Sequence, residues 1–108
     1  MAAGGVRQGR FSRSKSLGTQ AVSGLIGGTT YAYLRIKAVN DILIGNSAID
    51  PDGSGTTIGY RLQRGEVLEF FNDGATAGLI DGANITIRGI YNAPDQLSEA
   101  YFFAIDNV

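Results

Sequence analysis

Apolar and polar residues alternate with a period of two along most of the chain, and no stretch of ten or more residues carries a convincing helical period. Tyr31–Val39 (YAYLRIKAV) is the plainest case. Ala32, Leu34, Ile36 and Ala38 share one face, which is small, apolar and suited to a core. Tyr31, Tyr33, Arg35, Lys37 and Val39 share the other, where aromatic bodies and cationic tips suit an interfacial surface. Further strands are predicted at Gln20–Val22, Ile42–Ile44, Thr57–Leu62, Glu66–Phe71 with Leu68 and Phe70 inward, Asn84–Tyr91 and Glu99–Ile105. Turn signals separate them: Gly27-Gly28, Asn40-Asp41, the Asp50–Thr57 loop, Gln63-Arg64-Gly65, Asn72-Asp73-Gly74, Asp81-Gly82 and Pro94-Asp95. Gly65 is the turn residue expected to need positive φ. Seven or eight short strands with a turn every ~8–12 residues define an all-β chain, an antiparallel β-sandwich or a barrel.

Met1–Gly18 breaks the alternation. Gly, Ser and Arg dominate it, and only Val6, Phe11 and Leu17 are bulky and apolar. It reads as a flexible basic arm (1–18) ahead of a single β-sandwich domain (19–108). Charge sharpens this division. Residues 1–40 hold six cations and no acid, whereas residues 41–108 hold three cations against ten acids. The expectation is an arm that meets a negative surface, such as another copy's acidic body. Phe11 would anchor it while Arg7, Arg10, Arg13 and Lys15 pair with acids. Tyr31, Tyr33, Arg35 and Lys37 would add a second partner-binding surface.

Composition narrows the chemistry. At 108 residues the chain holds one two-layer core. Charged residues make up 18% of it, against about 25% for an ordinary soluble domain, so part of the surface is expected to be hidden in an assembly. The absence of Cys and His excludes disulfides, Cys/His zinc sites, Ser–His or Cys–His nucleophiles and any imidazole switch. No apolar run approaches the ~18–20 residues of a membrane span, and the N-terminus lacks the apolar core of a secretory signal. The expected protein is soluble, has no membrane association and is not exported by that route.

Asp50-Pro51-Asp52-Gly53-Ser54 hints at a calcium loop, but the twelfth position, where a bidentate Glu belongs, is Arg61. Asp50/Asp52 and Glu66/Glu69 could in principle supply paired carboxylates, yet nothing places either pair in a cleft. The Gly-rich pieces lack the lysine of a phosphate loop and open no helix. A basic face interleaved with Phe11, Tyr31 and Tyr33 has the look of a nucleic-acid surface, but an isoelectric point near 5.2 disfavours that partner. No catalytic set, metal or cofactor is expected.

The segment ILIGNSAI (Ile42–Ile49), followed by Gly59-Tyr60-Arg61-Leu62 and Arg64-Gly65-Glu66-Val67-Leu68, resembles a pattern of small structural proteins of tailed bacteriophages. There a strand of the form V-x-I-G-(N/D)-S-x-V leads through a Ser/Thr/Gly loop to G-x-x-L-x-x-G-E. Arg64 departs from it, since Pro is common before that Gly-Glu. The resemblance covers about thirty residues and implies consecutive strands of a jelly-roll-like sandwich. It implies a virion protein, most of all a capsid decoration (cement) protein. Such a protein would assemble in the host cytoplasm as a homo-oligomer, a trimer being favoured, and bind the major capsid protein or other virion proteins. Two alternatives stay open. One is a receptor- or carbohydrate-binding module of a fibre or tail that stacks ligands on Tyr31, Tyr33 and Tyr60; the other is a head–tail or neck accessory protein.

Overall fold

The computed structural model describes residues 3–46, 49, 59–71, 80–91 and 96–107. Its elements are β1 (Ala3–Arg13), a 3-10 turn (Lys15–Leu17), β2 (Thr19–Ala21), α1 (Val22–Ile26), β3 (Thr30–Ala38), β4 (Ile42–Gly45), β5 (Tyr60–Leu62), β6 (Val67–Phe71), β7 (Ile80–Asp81), β8 (Thr86–Gly89) and β9 (Ser98–Asn107). All the pairings are antiparallel. One sheet runs β1-β9-β3-β6, with β7 also on β3, and the other runs β2-β8-β4-β5.

Set the two-residue β7 aside and the order has a simple origin. β4 pairs with β5, β3 with β6, β2 with β8 and β1 with β9, so the chain is one long hairpin. Successive rungs of that hairpin fall in alternate sheets. The β9–β3 and β8–β4 pairings then roll it into two layers. This is the all-β sandwich that the alternating pattern predicts, in jelly-roll order.

The layers meet in one core. Phe11, Leu34, Ile36, Ala38, Ala100 and Ala104 come from the first sheet, Ile42, Ile44, Leu62 and Ile87 from the second, and Val22 and Ile26 from α1. Large and small residues alternate across β9, which keeps the layer filled. Ala100 lies between Phe11 and Ala38, and Phe102 between Gly9 and Ile36. A Cβ at Gly9 would come within 3.2 Å of the Phe102 ring, so that ring occupies the space a side chain would need. Gly65 has φ +84°, and its N–H donates to Ala38 O at 2.8 Å, as the tight turn before β6 requires.

Two expectations need correction. Residues 3–13 do not form a flexible arm; they are the edge strand β1, registered on β9 from Val6↔Ile105 to Arg13↔Ser98. Tyr31 does not lie on the face of Tyr33. A register irregularity between Tyr31 and Tyr33 in the β3–β9 pairing breaks the alternation and buries Tyr31 completely. Neither α1 nor β7 was predicted, each being too short to show a period. The predicted strand at Gln20–Val22 begins one residue earlier, as β2, and Val22 opens α1. The loop of Asp50 and Asp52, the first two residues of the predicted strand Thr57–Leu62, the turn at Asn72-Asp73-Gly74 and the Pro94-Asp95 break lie outside the described residues.

A candidate assembly surface

The outer face of the β1-β9-β3-β6 sheet is built row by row by its registers. Val6, Ile105, Tyr33 and Phe71 form one row, Gln8, Phe103, Arg35 and Glu69 the next, and Arg10, Tyr101, Lys37 and Val67 a third. Period-two alternation sends these residues outward while Leu34, Ile36, Phe102 and Leu68 turn to the core. The surface is unusually apolar for one open to water: Phe71 is 70% exposed, Val6 58%, Tyr101 49%, and Phe103 and Val67 37%.

The rings interlock. Tyr33 meets Phe71 edge-on at 5.4 Å between centroids and Phe103 at 6.2 Å, with interplanar angles of 60° and 64°. Between them runs a shallow groove of about 420 Å³ lined by Tyr33, Arg35, Lys37, Tyr101, Phe102 and Phe103. The Tyr33 hydroxyl donates to Glu69 Oε2, and this bond raises the phenol's pKa above its ordinary value. Arg10 Nη2 donates to Glu99 Oε2 at 2.6 Å, and its guanidinium stands 5.6 Å from the centroid of the Tyr101 ring. The bond to Glu99 holds the Arg10 pKa above its already high value, so the guanidinium keeps its charge at any physiological pH.

The sequence-predicted site residues divide accordingly. Tyr33, Arg35 and Lys37 come together on this face, and Arg10 joins them from β1. The others serve the chain's own fold. Phe11 is in the core, Arg7 Nε donates to Asp106 Oδ1 at 2.8 Å, and Arg13 Nη2 reaches Leu17 O and Gly18 O at 3.2 Å. Lys15 opens the 3-10 turn, its backbone N–H donating to Tyr91 O at 2.8 Å. The buried Tyr31 hydroxyl donates to Gly27 O at 2.5 Å, and burial pushes its pKa up. Sequence reading missed Val6, Phe71, Tyr101, Phe103 and Ile105. The alternation in EAYFFAI, with Tyr101, Phe103 and Ile105 set against Ala100, Phe102 and Ala104, was the available signal for the last three.

The three tyrosines proposed as stacking platforms are not gathered. Tyr31 is buried, Tyr33 lies on the first sheet, and Tyr60 is on β5 of the second, beside a groove of about 280 Å³ lined with Ile44, Gly45, Leu68, Phe70, Asn84 and Ile85. Among the described residues, no three His, Cys, Asp or Glu side chains are grouped to hold a metal ion, and no helix is long and apolar enough to cross a membrane. Compared with protein families, curated proteins and solved structures, the chain matches none.

Proposed function

We propose that this chain is a structural protein of a virion, a phage capsid decoration protein whose role is to cover and brace the shell. The observation that carries the proposal is the interlocked Tyr33–Phe71–Phe103 face, with Tyr101, Arg35 and Lys37 at its side. Exposed aromatic clusters with an arginine among them mark binding surfaces. The resemblance of Ile42–Leu68 to small phage structural proteins supplies the class of partner. In this reading the outer face of the first sheet takes the adhesive role that the sequence assigned to a mobile arm. Arg35 and Lys37 steer the face towards acidic patches of the shell, and its rings are buried on contact.

Binding of the purified protein to phage capsid shells, followed by co-sedimentation, tests this. Saturable binding that Phe103→Asp together with Tyr101→Asp abolishes, without loss of the far-ultraviolet spectrum, is the expected result. Binding unaffected by that pair, or no binding to shells at all, would sink the reading.

A further inference from the structure

Among the described residues the first sheet ends in two strands paired on one side only, β1 at one edge and β6 at the other, with the two-residue β7 also on β3. An open strand offers unpaired backbone donors and acceptors, and edges meant to stay single are blunted with Lys, Pro or inward charge. Among the described residues β6 carries neither Lys nor Pro and a single charge, Glu69, with Val67 and Phe71 exposed, and the inward cation of β1, Arg7, is paired with Asp106 of its own chain.

We infer that β6 of one copy pairs with β1 of a second copy, so that sheets join edge to edge in head-to-tail order. This rests on the assembly reading above and adds to it the contact between copies. Three observations carry it. Each pairing along β1-β9-β3-β6 is antiparallel, so β1 and β6 run in opposite senses. A copy placed alongside in the same orientation therefore presents β1 antiparallel to β6, the sense that continues the ladder.

The charges also match. β1 carries Arg7, Arg10 and Arg13 with no acid, while β6 carries Glu69 and no cation, the turn before it being balanced by Arg64 and Glu66. Pairing β1 with another β1, or β6 with another β6, would set like charges across from one another. Lastly, the rows fit. Val6 and Phe71, both strongly exposed, are the two ends of one row, so in-register continuation covers each with the other. The same register sets Gln8 beside Glu69 and puts Arg10 on the diagonal from Glu69, within reach of a long side chain. Arg10 and Glu69 each retain hydrogen-bonding capacity beyond their bonds to Glu99 and Tyr33. Such a contact is heterologous, and repetition closes it into a ring or extends it as a run.

The chain has no cysteine, which makes cross-linking direct. Val6→Cys and Phe71→Cys proteins, mixed and oxidised, should give a disulfide-linked dimer that neither gives alone. A chain carrying both should give a ladder or a closed ring. Arg10→Glu and Glu69→Arg should each lower the sedimenting mass to that of the monomer, and the two together should restore it. A native protein that is monomeric at every soluble concentration overturns the inference. So do cross-links that form as readily between identical variants as in the mixture, and so do folded charge variants of unchanged mass. Shell binding is scored separately. A monomer that still decorates shells defeats the edge contact alone, whereas an edge-linked oligomer that ignores shells defeats the functional reading alone.

Discussion

Phe11 lies opposite Ala100, 6.1 Å from the Phe102 ring between centroids, with 8% of its surface exposed. It is the apolar residue by which β1 enters the core cluster. In a flexible arm its truncation would cost the fold nothing. In this structure Phe11→Ala removes a packed ring from a core that collapses only in part, so it should destabilise the protein by about 3–5 kcal/mol. Equilibrium denaturation measures this directly, and an unchanged midpoint would return β1 to the status of a loose tail. The neighbouring arginines teach a related lesson. Residues 1–40 are cationic and the rest acidic, and the acids that Arg7 and Arg10 meet are Asp106 and Glu99 of their own chain. The charge asymmetry is in part the complementarity of two strands that lie side by side.

At the scale of elements, Asp41 ties the start of β4 to the β5–β6 turn. Its carboxylate accepts from Arg61 Nε at 3.1 Å, from Arg61 Nη2, and from the Arg64 backbone N–H at 3.2 Å. The bonds to Arg61, with that of Arg64 behind them, hold its pKa below the ordinary 3.8 although burial opposes them. A carboxyl whose folded pKa is depressed contributes stability that is whole above its unfolded pKa and is lost as pH falls through the folded one. Asp41→Asn should therefore melt lower than the native chain by a constant margin above about pH 5, and the margin should shrink below pH 3.8. Thermal melts across that range check it; a margin independent of pH would remove the charge from the account. Strands with a period-two pattern were legible: β3, β6, β8 and β9 fall where alternation places them, and β4 where its short apolar run does. β1 was not, because its core-facing positions are Arg7, Gly9 and Phe11, and its partner β9 lies at the far end of the chain. Tyr31 was misplaced for a different reason, since an irregularity in pairing reverses a face and leaves no mark on composition. The outer face was half legible. Tyr33, Arg35 and Lys37 announced themselves on one strand, and the alternation of EAYFFAI puts Tyr101 and Phe103 on one face, but only the registers set these and Phe71 beside Tyr33.

The whole molecule is a hairpin rolled on itself, and that shape orders the steps of its folding. Closing the β4–β5 end joins groups such as Asp41 and Arg61, 20 residues apart, whereas the β1–β9 end joins Arg10 to Glu99, 89 residues apart. Loop-closure entropy makes the second about 1.3 kcal/mol dearer if it is formed first, and far less if the inner rungs have already closed. The low-cost route starts at β4–β5 and adds β3–β6, β2–β8 and finally β1–β9. Leu62, buried opposite Ile42, belongs to the early end and Phe11 to the late one. Leu62→Ala should therefore slow folding, with about 0.5–0.8 of its destabilisation appearing in the folding rate. Phe11→Ala should mainly hasten unfolding, with about 0–0.3 appearing in the folding rate. Stopped-flow chevrons of both variants read these fractions, and a larger fraction for Phe11 than for Leu62 would show that the ends meet first. If β1 docks last, the β9 edge stays open longest during folding, so the same chain position both completes the sheet and supplies the edge proposed to meet the next copy.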